Sequence, residues 1–196
     1  KGRFLKDGNS TTVAEFIFEN KRYVVKRYNL NSLWQSVKYL FKMSRAARCW
    51  RSASILSMLG VHTPKPYMFI EDRWLWFLRA KSYFVSEKIE AANLLEHIKA
   101  KGLRQNELEA IIISFRLLFK IMIDYKISHG DMKASNFLYW NNKLVVLDLD
   151  GMRRHRSQRV FKKAIKKDFD RFLKNWKGTE YEQPFGNIVN ELEISF

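Results

Sequence analysis

The fold of this chain is constrained above all by a change in hydrophobic period near residue 90. Before that point the apolar residues come in short runs rich in Phe, Val, Ile and Tyr, the composition of pleated strands. Val13 to Glu19 and Arg22 to Tyr28 form one such pair, and a tight Asn20-Lys21 turn makes them a β-hairpin. Tyr67 to Ile70, Trp74 to Arg79 and Ser82 to Ser86 give three more strands, with Glu71-Asp72 as a turn. Thr63-Pro64-Lys65-Pro66 forces an extended approach to them, because a residue before proline is driven out of the helical region.

Between hairpin and strands the spacing is helical. Leu33, Trp34, Val37, Leu40 and Phe41 recur at helical intervals, and a second helical stretch through Trp50, Ile55 and Leu59 stops at Gly60. Five strands with helix inserted after the second make a compact α+β unit. After Glu90 the pattern becomes helical: a short helix spans Leu94 to Ile98 and a long one Asn106 to Tyr125. In the latter, Leu108, Ile111, Ile112, Phe115, Leu118, Phe119 and Met122 line one face, the core stripe of a buried helix. Two brief strands follow, Phe137 to Trp140 and Leu144 to Leu147, joined by Asn141-Asn142. A basic amphipathic helix from about Ser157 to Trp176 aligns Phe161, Ile165, Phe169, Phe172 and Trp176. The boundary between the two regions falls in Glu87 to Asn93, giving a first region of residues 1–86 and a second of 87–196.

Composition narrows the function classes. The single Cys49 cannot form an intramolecular disulfide, and the four histidines lack metal-ligand spacing, so a reducing setting without structural zinc is expected. No apolar run approaches the roughly 18 residues of a membrane span, and no signal-peptide pattern precedes the first strand, so the chain reads as soluble. Thirty-six Lys and Arg against twenty Asp and Glu give a net charge of +16, which attracts polyanions. No acidic residue lies between Glu19 and Glu71, a stretch with ten basic ones, and Gly151 to Lys177 holds eleven basic and two acidic residues. No nucleic-acid readout motif accompanies that charge. The helix Leu33 to Lys42, followed by Arg45, Arg48 and Arg51, could lie on an anionic membrane or pack its apolar face on its own lobe.

The chemistry is concentrated in His129-Gly130-Asp131-Met132-Lys133-Ala134-Ser135-Asn136. Phosphoryl transfer needs a group to orient or deprotonate the attacking hydroxyl, ligands for magnesium, and cations for the phosphates. The loop follows a long buried helix, so Asp131 can accept the hydroxyl proton, Asn136 can ligate a metal, and Lys133 can neutralise charge on the transferred group. Twelve residues beyond Asn136, an apolar run ends in Asp148, a second metal carboxylate at a strand end. Upstream, Lys26 closes Val24-Val25-Lys26 on a strand, where an ATP-pairing lysine would sit. In the segment Lys6 to Val13, Gly8, Ser10, Thr11 and Thr12 offer backbone amides and hydroxyls that could cover ATP phosphates. An ordinary turn explains the same residues.

In these residues the sequence resembles the Kdo/WaaP lipopolysaccharide kinase family, small bacterial relatives of protein kinases. The likeness runs through Ser10-Thr11-Thr12-Val13, Val24-Val25-Lys26-Arg27-Tyr28, Gly60 to Pro66, the Asp131 loop, Val146 to Asp150, and Lys167-Asp168-Phe169-Asp170-Arg171-Phe172. It implies a two-lobed protein-kinase-like fold with a β-rich N-lobe and a reduced helical C-lobe. It also implies ATP and Mg as cofactors, and Glu87, at the lobe boundary, as a further nucleotide contact. The acceptor it implies is a heptose or Kdo hydroxyl of lipopolysaccharide inner core, met by a cytoplasmic enzyme peripheral on the inner membrane.

One departure stands out. Protein kinases pair the strand lysine with a glutamate from the following helix, yet no acidic residue lies between Lys26 and Gly60. The alternatives therefore include a catalytically silent pseudokinase or binding module, and a kinase for another small molecule or for protein tyrosine. Only about a dozen residues separate Asp148 from the next helix, little room for the peptide platform of a protein kinase.

Overall fold

The computed structural model describes residues 2–29, 43–74 and 78–193. The proposed membrane helix Leu33 to Lys42 lies outside them, as does part of the Trp74 to Arg79 strand. The chain divides into two compact units, one of Lys1–Met58 with Pro64–Glu90, the other of Leu59–Thr63 with Ala91–Phe196.

The first unit is an antiparallel sheet carrying one helix. Its strands are β1 (Gly2–Asp7), β2 (Thr11–Phe18), β3 (Lys21–Tyr28), β4 (Pro66–Trp74) and β5 (Leu78–Glu87), in the order β1-β2-β3-β5-β4. The hairpin is present, but its turn is Glu19-Asn20 rather than Asn20-Lys21, because Phe18 pairs with Lys21 and both turn residues have positive φ. Two left-handed residues match the twist of the flanking strands, and asparagine accepts that conformation readily. The three expected later strands are two longer ones. Glu71-Asp72 is not a turn but lies within β4, at a register shift between Glu71 and Arg73. β4 is an edge strand, so its exposed side can carry charge and a bulge.

Helix α1 (Arg45–Met58) packs on β3, β4 and β5 and ends before Gly60, whose φ of +81° suits a residue without Cβ. It buries Ala46, Ala47, Cys49, Ala53 and Leu56. Small residues let the helix approach closely, and Trp50 leans on Phe69 at 5.7 Å between centroids.

The second unit is helical. It holds α2 (Leu94–Lys101), α3 (Gln105–Asp124), α4 (Gln158–Lys174) and α5 (Glu182–Glu193), with the short strands β6 (Ile127–Ser128), β7 (Phe137–Trp140), β8 (Lys143–Val146) and β9 (Arg153–Arg154). β7 and β8 form the expected hairpin over Asn141-Asn142, while β6 and β9 pair with each other. The core is aromatic. Phe115 of α3 is fully buried and meets Phe137, Phe172 of α4 and Phe185 of α5 at 5.0, 4.7 and 5.7 Å between centroids. Each such ring removes enough apolar surface from water to contribute about 1.5–3 kcal/mol, so this cluster fixes the three helices around the loop at residues 129–136.

Candidate active site

The loop leaves α3 through Lys126, left-handed at φ 52°, and the two residues of β6. His129 follows, nearly inaccessible to solvent. Its Nε2 bonds the carbonyl oxygen of Leu147 at 3.0 Å and its Nδ1 accepts the Asp131 N–H at 3.3 Å. One nitrogen donating and the other accepting is the neutral tautomer with its proton on Nε2. Gly130 then turns at φ +88°, where a Cβ would stand 3.0 Å from the Gly151 carbonyl oxygen. The loop therefore needs glycine for both conformation and space.

Asp131 is half-buried, and both of its carboxylate oxygens are engaged. Oδ2 meets Lys133 Nζ at 3.0 Å and Asn136 Nδ2 at 3.3 Å, and Oδ1 meets Arg171 Nη2 at 3.3 Å. Burial pushes this carboxyl up, but the Lys133 bond and charge, the Asn136 amide and the Arg171 charge together hold it below the ordinary carboxylate range. Asn136 also donates from Nδ2 to the Asp131 carbonyl at 2.8 Å. Both of these Asn136 bonds use Nδ2 and leave Oδ1 as the acceptor end of the amide.

Asp148 is carried next to Asn136 by the backbone: Leu147 N–H donates to the Asn136 carbonyl at 2.8 Å. Asp148 itself sits at φ 52°, ψ 62°, a left-handed conformation that costs a non-glycine residue about 1–3 kcal/mol and is concentrated at functional sites. A carboxylate and an amide oxygen on adjoining segments suit magnesium, which takes one or two protein oxygens and fills its octahedron with phosphate oxygens and water. Among the described residues no cluster of three or more His, Cys, Asp or Glu could hold a metal.

Three positioning residues, Asp168 and Arg171 of α4 and Asn175 at its C-cap, were not singled out individually in the sequence. Asp168 is 2% exposed and accepts the N–H of His129 at 2.6 Å and of Gly130 at 2.9 Å. Burial raises its carboxyl to about 6 against the lowering effect of those two bonds, and the Asp131 charge adds to the rise. Arg171 reaches Asp131. Asn175 accepts the Ala134 N–H at 3.1 Å and donates to the Met132 carbonyl at 2.8 Å. One helix thus grips the loop at its start, middle and end. A signal for Asp168 was available: it is a carboxylate on the apolar stripe of Phe161, Ile165, Phe169 and Phe172, and a buried charge must find donors.

The remaining candidates lie in the first unit. Lys26 is half-buried on β3, opposite Val13 and Phe84, so it shares the sheet face of Tyr28, which meets Cys49 of α1 at 3.2 Å. α1 itself carries no acidic residue. Gly8 and Ser10 lie in the β1–β2 turn, where a Cβ on Gly8 would come 3.1 Å from the Thr11 carbonyl oxygen. Thr11 begins β2. Thr12 pairs with Arg27, so its side chain is on the opposite face from Lys26. There its hydroxyl donates to Asp7 at 3.0 Å and accepts from Arg27 at 3.0 Å. A pocket of about 500 Å³ opens beside this turn, lined by Asp7, Gly8, Asn9, Arg27 and Asn29; none of these residues belongs to the Asp131 loop. Glu87 ends β5, and its N–H and Oε2 bond the Lys65 carbonyl and N–H at 2.9 and 3.5 Å.

A loop carrying Asp131, Lys133 and Asn136 beside the segment of Asp148, on a chain that runs from sheet to helices, fits the kinases, phosphotransferases with an alcohol group as acceptor. The whole chain narrows the class. Residues 2–185 match the lipopolysaccharide kinase (Kdo/WaaP) family, and the chain belongs to it. No curated protein matches the sequence. Among solved structures it is similar to WaaP in complex with acyl carrier protein, with a TM-score of 0.61 and 15% identity, covering 100% of this chain and 87% of that one. At that identity the likeness concerns the fold alone: a sheet-bearing N-terminal region followed by a helical C-terminal part.

Proposed function

We propose that this lipopolysaccharide kinase transfers the γ-phosphoryl group of ATP to a heptose or Kdo hydroxyl of the lipopolysaccharide inner core. The observation that carries the proposal is the Asp131 carboxylate, presented on a loop whose backbone Asp168 and Asn175 hold from behind. In this reading Asp131 orients the acceptor hydroxyl and takes its proton as the new O–P bond forms and ADP leaves. Lys133 offsets charge on the moving phosphoryl group. Asn136 and Asp148 would hold magnesium, which when bound supplies charge neutralisation at the phosphates. Lys26 meets the phosphates directly, and backbone groups of Gly8, Ser10 and Thr11 cover them. Thr12 contributes by bracing that turn through Asp7 and Arg27, and Glu87 by closing the end of β5.

The same reading divides the chain into an N-lobe of residues 1–86 and a C-lobe of 87–196 in a protein-kinase-like fold. It places the enzyme at the cytoplasmic face of the inner membrane, where a net charge of +16 favours anionic lipid. Among the described residues no helix is long and apolar enough to cross a membrane, so attachment would be peripheral.

The test is incubation of purified protein with ATP, magnesium and lipopolysaccharide core, followed by mass spectrometry of the product for added phosphate. Asp131→Ala should abolish transfer while nucleotide binding survives, and Asp148→Ala should lose magnesium-dependent nucleotide binding by calorimetry. Both variants binding and turning over as the parent does would overturn the site assignment. A parent inactive on every core acceptor would favour a pseudokinase.

A further inference from the structure

Both oxygens of Asp131 are occupied, one by Lys133 and Asn136, the other by Arg171. A carboxylate oxygen has a second lone-pair site, so an acceptor hydroxyl delivered to Asp131 shares an oxygen with the group already there and competes with it for the carboxylate charge. The partner that yields is the one least tied to the loop. Lys133 and Asn136 come from the same short loop as Asp131, whereas Arg171 reaches in from α4 and its guanidinium is half-exposed. Arg171 is therefore the displaceable partner.

What would draw it away is set by its surroundings. Lys163, Lys167, Arg171 and Lys174 follow at intervals of four, four and three residues, all exposed, so they share one side of α4. Asp170, the acidic residue on that side, is paired with Lys166 at 3.4 Å, and Asp168 is buried on the loop amides. A cationic stripe thus runs along the helix surface and passes the Asp131 carboxylate at Arg171. Solvated side chains alone would give such a stripe, but they would not place one of its members on that carboxylate.

Resting on the reading that Asp131 takes the acceptor proton, we propose that Arg171 selects the acceptor by binding an anionic substituent, a phosphate ester or a carboxylate, carried beside the accepting hydroxyl. The planar guanidinium binds either anion through two parallel hydrogen bonds. In turning to that anion it gives up Oδ1 of Asp131, and the freed oxygen receives the hydroxyl. Lys167 and Lys163 extend the same field to more distant charges on the acceptor. An acceptor without the anion leaves Arg171 on the base, so recognition and activation are one event.

The experiment compares three forms of deacylated lipopolysaccharide core: native, dephosphorylated with hydrogen fluoride, and reduced at its carboxylates to alcohols. With the parent, removing the anion that Arg171 reads should lower kcat/KM by about ten- to hundredfold, the range of one charge-assisted pair, and the arm that falls identifies phosphate or carboxylate. Arg171→Ala should be poor on native core and indifferent to either treatment, while Arg171→Lys should regain part of the preference. Lys167→Ala should raise the acceptor KM more than it lowers kcat. A parent that uses all three acceptors equally overturns the inference and leaves the kinase reading intact, as does an Arg171→Ala variant that loses the same factor as the parent when the anion is removed. A parent that phosphorylates none of them removes both. The parent arms need no substitution, so misfolding of a variant, checked by thermal melting, leaves the test standing.

Discussion

The carboxylate of Asp168 takes the backbone N–H of His129 at 2.6 Å and, with its other oxygen, that of Gly130 at 2.9 Å. These two amides open the loop that carries Asp131, and β6 ends just before them. Asp168→Ala takes the acceptor from both loop amides, at a cost of about 1–3 kcal/mol for the buried N–H of His129 and less for the partly exposed N–H of Gly130. The expected outcome is a lower midpoint in urea denaturation together with a lower kcat. Asp168→Asn keeps one acceptor and sets an NH₂ group against the second N–H, so it should fall between parent and alanine.

The same carboxylate predicts a pH dependence. Its pKa is raised from 3.8 to about 6, so between those values the folded protein binds a proton that the unfolded chain has released. Its contribution to stability therefore declines as pH rises through that window and is constant above it. Activity should run the other way, because only the ionised carboxylate accepts both loop amides. The acid limb of the kcat profile should lie near 6 and should vanish in Asp168→Asn. Asp131, held below the ordinary carboxylate range, would put its own limb lower. A single limb below the ordinary carboxylate range in both proteins would exclude Asp168 as its source.

Most of the fold is legible in the sequence where burial imposes a period. The stripe of α3 and the aromatic face of α4 are read directly, because each faces one core. β1 escapes because all six of its residues are exposed; pairing with β2 holds it, and no alternation marks it. α5 escapes because Pro184 and Gly186 argue against helix, although Pro184 sits in the first turn, where its missing N–H is no loss. In the site, the residues on one short loop could be found by spacing. Asp168, Arg171 and Asn175 act across some forty residues of chain, and only the fold of α4 against the loop brings them there.

Gly130 and Gly151 bring the loop against the segment that carries Asp148. A Cβ on Gly130 would lie 3.0 Å from the Gly151 carbonyl oxygen, and one on Gly151 would lie 3.0 Å from that of His129. Gly130→Ala should cost about 1–2 kcal/mol for its left-handed φ alone, and more for the contact. Gly151→Ala pays only the contact. Both should lower kcat, Gly130→Ala with the larger fall in thermal midpoint; equal midpoints would mean that the strained φ relaxes on substitution.

Lys26 tests whether a kinase can dispense with a glutamate on the helix that follows its strand lysine. α1 packs on β3 yet carries only Arg, Ala, Cys, Trp, Ser, Ile, Leu and Met, and it presents Cys49 to Tyr28, two residues along β3 from Lys26. In regulated kinases the Lys–Glu pair is made and broken as the helix swings, which gives a switch. A sugar kinase with a short segment after Asp148 has less use for one, and strand pairing on both sides, to Val13 and to Phe84, already restrains the Lys26 backbone. Lys26 should therefore remain necessary if, as proposed, its charge acts on the phosphates. Lys26→Met, which keeps the length of the side chain and removes the charge, should weaken kcat/KM for ATP by about ten- to hundredfold. Its KM for the acceptor should change far less. Lys26→Ala should behave in the same way, and kinetics like the parent's in both variants would show that the phosphates are held by other groups.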